Sequence, residues 1–214
     1  LLIDRKPNPD SKEVDEILKK NKKVLTLANK ITNLTSLSLM YKILLTEIIE
    51  IFNFDIAAIF INSNDFLYYI EGMSKNEEKT IKAFKNYDFY FKSVRGYKAK
   101  VEDGATGNTF LSNNSFYFKD LLKILHLPMA EKDRTGLEKL IEPKTLLLMP
   151  IVKDEKPIGV FQLFGLFKNI VDLSQSDLEM IKALCSFFGT AIENSELYTL
   201  VEKQKQSLEA AKDE

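Results

Sequence analysis

Apolar residues recur along this chain with two periods, and the places where the period changes mark its elements. Val14, Leu18, Asn21, Leu25 and Ala28 follow a 4,3,4,3 spacing, flanked by Ile17, Val24 and Ile31. That is a heptad seam on a helix of about two and a half repeats. Asp10 or Ser11 can cap it, with Glu13 or Val14 in its first turn, and Pro7, Asn8 and Pro9 make residues 1–10 an irregular lead-in. Leu37, Met40, Tyr41, Leu44, Leu45, Ile48, Ile49 and Phe52 recur at threes and fours, which predicts a helix over 35–53 packed hard on a sheet.

The period then falls to that of strands. Phe54–Ile61 is an apolar run too short for a helix and rich in β-branched and aromatic residues, as in a strand covered on both faces. Asn62-Ser63-Asn64-Asp65 is a turn cluster and Phe66–Gly72 a returning strand, so the pair reads as a hairpin. Glu77–Phe91 predicts a helix with Ile81, Phe84, Tyr87, Tyr90 and Phe91 inward. Gly96, Gly104, Gly107 and Asn113-Asn114 break 94–118 into two or three short strands, with Gly104–Asn108 as a turn or bulge between them. Asp120–His126 reads as one or two helical turns, and Pro128–Gly136 as a polar loop. Thr145–Val152 and Ile158–Phe167 form the clearest strand pair, joined by the five-residue connection Lys153–Pro157.

Ser174 caps a final helix, with Asp177 completing an S/T-x-x-D/E box. Leu178, Ile181, Leu184, Phe188, Ala191 and Ile192 face the domain. Beyond them Leu197, Val201, Gln204, Leu208 and Ala211 return to the heptad spacing. Unbroken from 174 to 212, this helix is roughly 58 Å long. A single domain has no use for its last part, which calls for a partner helix, most simply the same helix of a second subunit. The pattern as a whole is α+β: an antiparallel sheet covered by helices on both sides, with a heptad extension at each end.

Composition narrows the function more by exclusion than by assignment. The 214 residues carry 30 Lys+Arg against 31 Asp+Glu, a net charge of −1, and are 45% hydrophobic. That is one domain with extensions and a real core. The balanced charge excludes a whole-chain polyanion binder, and no nucleic-acid partner is expected. The Lys19, Lys20, Lys22, Lys23 run reads as a solvated helix face. One Cys and one His exclude a disulfide framework and a four-ligand zinc site, and no metal site is expected. No apolar run approaches the roughly 18 residues of a membrane span. The chain has no leader segment and no initiator Met, so it reads as a cytoplasmic piece of a longer protein.

Candidate chemistry is sparse. Glu47 with Glu50, Glu77 with Glu78, and Asp177 with Glu179 sit opposite apolar helix positions and read as solvated carboxylates near helix ends. Gly104-Ala105-Thr106-Gly107-Asn108 lacks the Gly-Lys-Ser/Thr ending of a phosphate loop. His126 reads as a helix-end histidine, with a haem-iron or pocket role as the sharper alternative. Cys185, among Leu184, Phe187 and Phe188, reads as a buried, inert thiol. No Gly-x-Ser-x-Gly turn occurs, and no residue is assigned a catalytic role.

Four stretches together resemble the GAF domain, the sensory module of cyclic-nucleotide phosphodiesterases, bacterial cyclases and histidine kinases. They are Ile43–Ile48 with Phe54–Ile61; Gly104-x-x-Gly107 with Phe116-Tyr117-Phe118-x-Asp120; Leu146–Val152 with Pro157–Leu163; and Leu173-Ser174-x-x-Asp177-Leu178 with Ala191-Ile192-x-Asn194-Ser195-x-Leu197-Tyr198. The resemblance covers 35–198. It leaves 1–34 as a lead-in and heptad helix, and 199–214 as the start of a coiled-coil linker. It implies a six-stranded antiparallel sheet with a small-molecule pocket on one face and dimerisation through the terminal helices on the other. It places the pocket near Asn108, Thr109, Phe110, Phe118, Asp120 and His126, with Phe161 as a floor residue. The dimer residues would be Val14, Leu18, Leu25, Leu197, Val201 and Leu208.

Where cyclic-nucleotide-binding members carry an Asn-Lys, Phe, Asp-Glu signature, this chain reads Gly165-Leu166, Leu173 and Asp177-Leu178. That argues against cAMP or cGMP, leaves the ligand unidentified, and makes Asp177 a cap rather than a contact. The implied function is a non-catalytic sensor that relays ligand state through its C-terminal coiled coil to a covalently linked output domain such as a nucleotide cyclase, diguanylate cyclase, phosphatase or kinase. The competing reading is a structural dimerisation module with no ligand. The family's methionine sulfoxide reductases use several cysteines, and this chain has only Cys185.

Overall fold

The computed structural model describes residues 11–99 and 104–210, with side chains for 14–99 and 104–207. One antiparallel sheet of six strands runs in the order β3-β2-β1-β6-β5-β4. The strands are β1 Ile56–Ser63, β2 Phe66–Ser74, β3 Tyr97–Lys98, β4 Phe116–Phe118, β5 Pro143–Lys153 and β6 Lys156–Leu166. Helices α1 Ser11–Thr32, α2 Leu37–Phe52 and α6 Gln175–Ala210 cover one face. The other is covered by α3 Glu78–Ser93, α4 Ala105–Ser112, a 3-10 turn at Leu121–Lys123, and α5 Glu131–Lys139. Both the expected fold class and the six-stranded antiparallel sheet are therefore present.

Strand alternation splits the core in two. Ala57 and Ile59 of β1, Leu147, Met149 and Ile151 of β5, and Phe161 and Leu163 of β6 point into the α1/α2/α6 layer. Their neighbours Ile56, Ala58, Phe60, Leu146, Leu148, Val160, Phe164 and Leu166 point the other way. Both long hairpins close on two left-handed residues, Asn64-Asp65 (φ 49° and 64°) and Asp154-Glu155 (φ 46° and 64°). These are the turns that match strand twist. The connection expected to span Lys153–Pro157 is thus shorter, because pairing continues through Val152 with Pro157 and Lys153 with Lys156.

The helices begin and end for local reasons. Ser36 Oγ accepts the Leu39 N–H at 3.4 Å to open α2, and Asn53 closes it in the left-handed region. At α6 the box is reciprocal: Ser174 Oγ accepts the Asp177 N–H at 3.1 Å, and Asp177 Oδ2 accepts the Ser174 N–H at 3.0 Å. Asp177 is not a solvated carboxylate, being only 5% exposed, and Lys20 is not merely a solvated amine. They pair at 2.7 Å and tie α1 to the start of α6. Burial opposes the charge on Asp177, but the Lys20 and Ser174 hydrogen bonds outweigh it and hold the carboxyl below its usual range. Further along, α6 lies directly on β5 at Gly189, where an added Cβ would stand 2.4 Å from the Val152 carbonyl oxygen.

On α1 the buried residues are Val24, Leu27, Ala28 and Ile31, whereas Val14, Leu18 and Leu25 of the heptad seam are exposed, the last two at 60%. On α6, Leu197, Tyr198, Leu200 and Val201 are also exposed. The side chain of Leu208, Ala211, and the lead-in with Asp10 lie outside the described residues. Among the described residues no helix is long and apolar enough to cross a membrane.

Two segments differ from expectation. The turn foreseen at Gly104–Asn108 is the first part of α4, and the loop foreseen at Pro128–Gly136 contains the start of α5. Gly104 has no side chain to cap α4, and the Asp133 carboxylate of α5 takes the cap position instead, accepting the Ala105 N–H at 2.6 Å. A cap supplied from 28 residues away leaves no local pattern.

Candidate functional site

A cavity of about 300 Å³ lies between the sheet and the α4–α5 side of the molecule. Its floor is Leu146 of β5 with Gln162 and Phe164 of β6, its inner wall Tyr87 of α3 and Tyr97 of β3. Segment 121–130 forms the outer wall with Leu121, Ile124, Leu127, Pro128, Met129 and Ala130; the start of α4 and Asp133, Gly136 and Leu137 of α5 complete it. Most of this lining is hydrocarbon, the usual composition of a small-molecule site with a few placed polar groups.

The polar groups form one connected chain. Gln162 is 3% exposed in the middle of an otherwise apolar strand. Its Oε1 accepts the Tyr87 hydroxyl, and its Nε2 donates to Thr106 Oγ1 at 2.7 Å and to the Tyr97 hydroxyl at 3.5 Å. Thr106 Oγ1 donates in turn to Asp133 Oδ1 at 3.4 Å, and Tyr97 also hydrogen-bonds Asp133. Every link therefore leads to one carboxylate, which sits where the α4 dipole is positive. Burial first, and then the Asp133 charge among other neighbours, push both tyrosine hydroxyls well above their ordinary range, so both stay protonated at neutral pH. Gly104 is needed here: at φ 102°, an added Cβ would lie 2.1 Å from Asp133 Oδ2.

Of the residues expected at a pocket, Phe118 lines the cavity. Thr109 is buried with its hydroxyl on the Ala105 carbonyl at 2.8 Å, Phe110 packs on the neighbouring core, and Asn108 lies on α4 outside the lining. Asp120 caps the 3-10 turn through the Leu122 N–H at 3.2 Å, and His126 is exposed. Phe161 is no floor residue of this cavity. Alternation sends it to the opposite face, where its ring lies 5.6 Å from that of Phe188. Sequence reading missed Tyr87, Tyr97, Thr106, Asp133 and Gln162 as site residues. Gln162 alone carried a signal, a lone amide in the run Val160–Leu166 that must find partners if buried.

Chemically, the cavity offers hydroxyls, an amide and one carboxylate, and among the described residues its lining includes no cysteine, histidine or cation. Cys185 lies in the other core, where burial pushes its thiol well up. No group of three or more His, Cys, Asp or Glu placed to hold a metal occurs among the described residues.

Comparison with known proteins places this architecture. The family model described as "GAF domain" matches residues 36–192. The structure is similar to the GAF domain of a phosphoenolpyruvate-protein phosphotransferase from Coxiella burnetii, at 11% identity and a TM-score of 0.65, over 86% of this chain and 98% of that one. A free methionine-R-sulfoxide reductase from Neisseria meningitidis, solved with its substrate, aligns at 10% identity and a TM-score of 0.61, over 89% and 96% of the two chains. The GAF domain of a two-component sensor histidine kinase from Bacillus halodurans aligns at 19% identity and a TM-score of 0.53, over 78% and 99%. No match is found among curated proteins.

Proposed function

The chain belongs to the GAF family, and from that premise we propose that it is a non-catalytic module that senses a small molecule and dimerises within a larger signalling protein. The observation that carries this reading is the sharing of strands β5 and β6 between the cavity and the helical layer. Leu146, Gln162 and Phe164 line the cavity, while Leu147, Phe161 and Leu163, one residue away on the same strands, carry α6 and its neighbours. A ligand that displaces the first set moves the second. It can shift the pairing of α6 only as far as its affinity differs between two arrangements, about 1.4 kcal/mol for each factor of ten.

The outlet is the heptad rod. Leu197 and Val201, with Val14, Leu18 and Leu25, stand exposed on a single chain, the state in which a second copy would cover them. Residues from 199 onward then serve as a linker to an output domain such as a nucleotide cyclase, diguanylate cyclase, phosphatase or kinase. The relatives named for a phosphotransferase and a histidine kinase support such an arrangement. The test is sedimentation of the whole chain beside one cut after Tyr198. The cut should raise the dimer dissociation constant at least tenfold, and an unchanged constant defeats the rod as outlet. Native mass spectrometry of freshly purified protein tests the sensor itself: a co-purifying small molecule supports it, and a clean apo dimer favours a structural dimerisation module.

A further inference from the structure

We propose that Tyr117 and Thr145 are positioning residues whose hydroxyls tie β4, at the edge of the cavity, to the segment leading into α6, so that occupancy of the cavity is registered at the start of that helix. This rests on the sensor reading and specifies how its signal leaves the site.

β4 is a strand of three residues at one edge of the sheet, paired with β5 alone, so few backbone bonds hold it. Alternation divides it between the two faces. Phe118 lines the cavity, while Tyr117 packs against the closed core beneath the long helices. There the Tyr117 hydroxyl donates to the Val171 carbonyl at 2.5 Å and accepts the Leu173 N–H at 3.1 Å. The buried Thr145 hydroxyl donates to the Lys119 carbonyl at 3.0 Å and accepts the Val171 N–H at 3.1 Å. The two hydroxyls therefore bracket Phe118, one on each side in sequence, and both end on the backbone of 171–173. Lys119 and Asp172 join the same segments at 2.6 Å, but that pair is exposed at both ends and contributes little. Directly after Leu173, Ser174 caps α6, and Asp177 in its first turn pairs with Lys20 of α1. The sheet itself meets α6 only much further along, at Gly189.

A molecule packed on Phe118 and Leu121 binds the closed cavity better than an opened one, and so holds β4 against local opening. With the hydroxyls in place the lead into α6 is held along with β4. Without them the two segments open independently, and the helix start no longer responds.

The test is hydrogen exchange of the whole chain with and without saturating N-phenyl-1-naphthylamine, a neutral, mostly hydrocarbon probe whose fluorescence gives its affinity. In the unsubstituted chain the probe should slow exchange across 121–127 and, at least threefold, across 174–180. Tyr117→Phe should bind the probe within threefold of the same affinity and keep the slowing at 121–127, but lose it at 174–180. Thr145→Val should behave in the same way and decides the matter where Tyr117→Phe does not fold. Thr145→Ser, which keeps the hydroxyl, should retain the response, as should Lys119→Gln. A merely structural role would alter stability and basal exchange, not the difference that the probe makes.

A probe that slows 121–127 and leaves 174–180 unchanged in the unsubstituted chain overturns the proposal while the sensor reading stands. Slowing at 174–180 that survives the loss of either hydroxyl also overturns it. Loss of the response in Lys119→Gln would move the coupling to the ion pair, against the proposal. Failure to bind, or binding without change at 121–127, is a different result: the cavity then admits no such molecule, and the sensor reading falls together with the tie.

Discussion

The two faces of the sheet are made by alternate residues of the same strands, yet one is filled and the other is not. Under α1, α2 and α6 the packing is largely aliphatic and closed, with Leu44, Leu45, Ile48, Leu163, Ile181 and Leu184 fully buried. Under α3, α4 and α5 it is an aromatic cluster, in which Phe60, Tyr87, Phe91 and Tyr97 meet at ring distances of 4.6 to 5.6 Å, and beside them lies the cavity. At the cavity the difference follows from the shortness of α4 and α5, since α3, with 16 residues, packs a stripe of its own as α2 does. Three helices of 22, 16 and 36 residues present continuous apolar stripes. Helices of 8 and 9 residues cannot, and α5 buries only Gly136 and Leu137. Short helices that bury little open at low energetic cost, which suits a ligand's entrance, while the long-helix face holds its shape and transmits.

The hardest strain on this comparison is Gly189→Val. On the closed face a side chain there meets the backbone of Val152, which cannot move aside without breaking the β5–β6 pairing. A loss of about 3 kcal/mol or more is expected in urea unfolding. A loss under about 0.5 kcal/mol would mean that α6 floats on the sheet.

A matched pair sharpens the contrast further. Leu163 and Leu146 are the same residue type on adjacent strands, fully buried on the closed face and at the cavity floor respectively. Leu→Ala losses run from about 2 to 5 kcal/mol according to how many neighbours the side chain leaves behind. Leu163→Ala should fall near the top of that range and Leu146→Ala at or below its bottom, because one side of Leu146 already faces space. Equal losses would show that in solution the cavity collapses around its floor.

The same contrast governs what could be read from the sequence. The long elements α1, α2, α3 and α6 and both hairpins announce themselves, because each buries a stripe with its own period. The elements over the cavity do not. In α4, Thr106, Gly107, Thr109 and Phe110 favour helix weakly, and its cap comes from α5 rather than from Gly104 before it. In α5, Glu131-Lys132-Asp133-Arg134-Thr135 gives no apolar stripe to recognise. The site suffers most. Phe118 was reached through the family resemblance, whereas Tyr87 read as core, Tyr97 fell unremarked among the short strands of 94–118, and Asp133 read as part of a loop. Only the fold brings these three together with Thr106 and Gln162.

A smaller effect tests how the terminal helix is held to the closed face. Asp177→Asn keeps the cap oxygen but loses the charge that Lys20 and Ser174 stabilise, and it should cost about 1–2 kcal/mol at neutral pH. The carboxyl is held below its ordinary value of 3.8 in the folded chain, so its contribution is present above that value and disappears as the pH falls through the lower, folded one. Unfolding midpoints of the two proteins measured down a pH series should therefore converge only in strong acid. Convergence already near pH 5 would mean that the ion pair does not form in solution.

The smallest effect belongs to His126, and it separates wall from ligand contact on the open face. Leu127 and Pro128, its successors in sequence, line the cavity, while the imidazole itself is exposed. If the segment serves as a wall through its hydrocarbon residues, His126→Ala changes stability by less than about 0.5 kcal/mol and leaves N-phenyl-1-naphthylamine binding where it was. A tenfold loss of probe affinity without loss of stability would give the cavity a second polar end opposite Gln162. Its outer wall would then recognise ligand as well as enclose it, and the division between a recognising inner end and an enclosing rim would no longer hold.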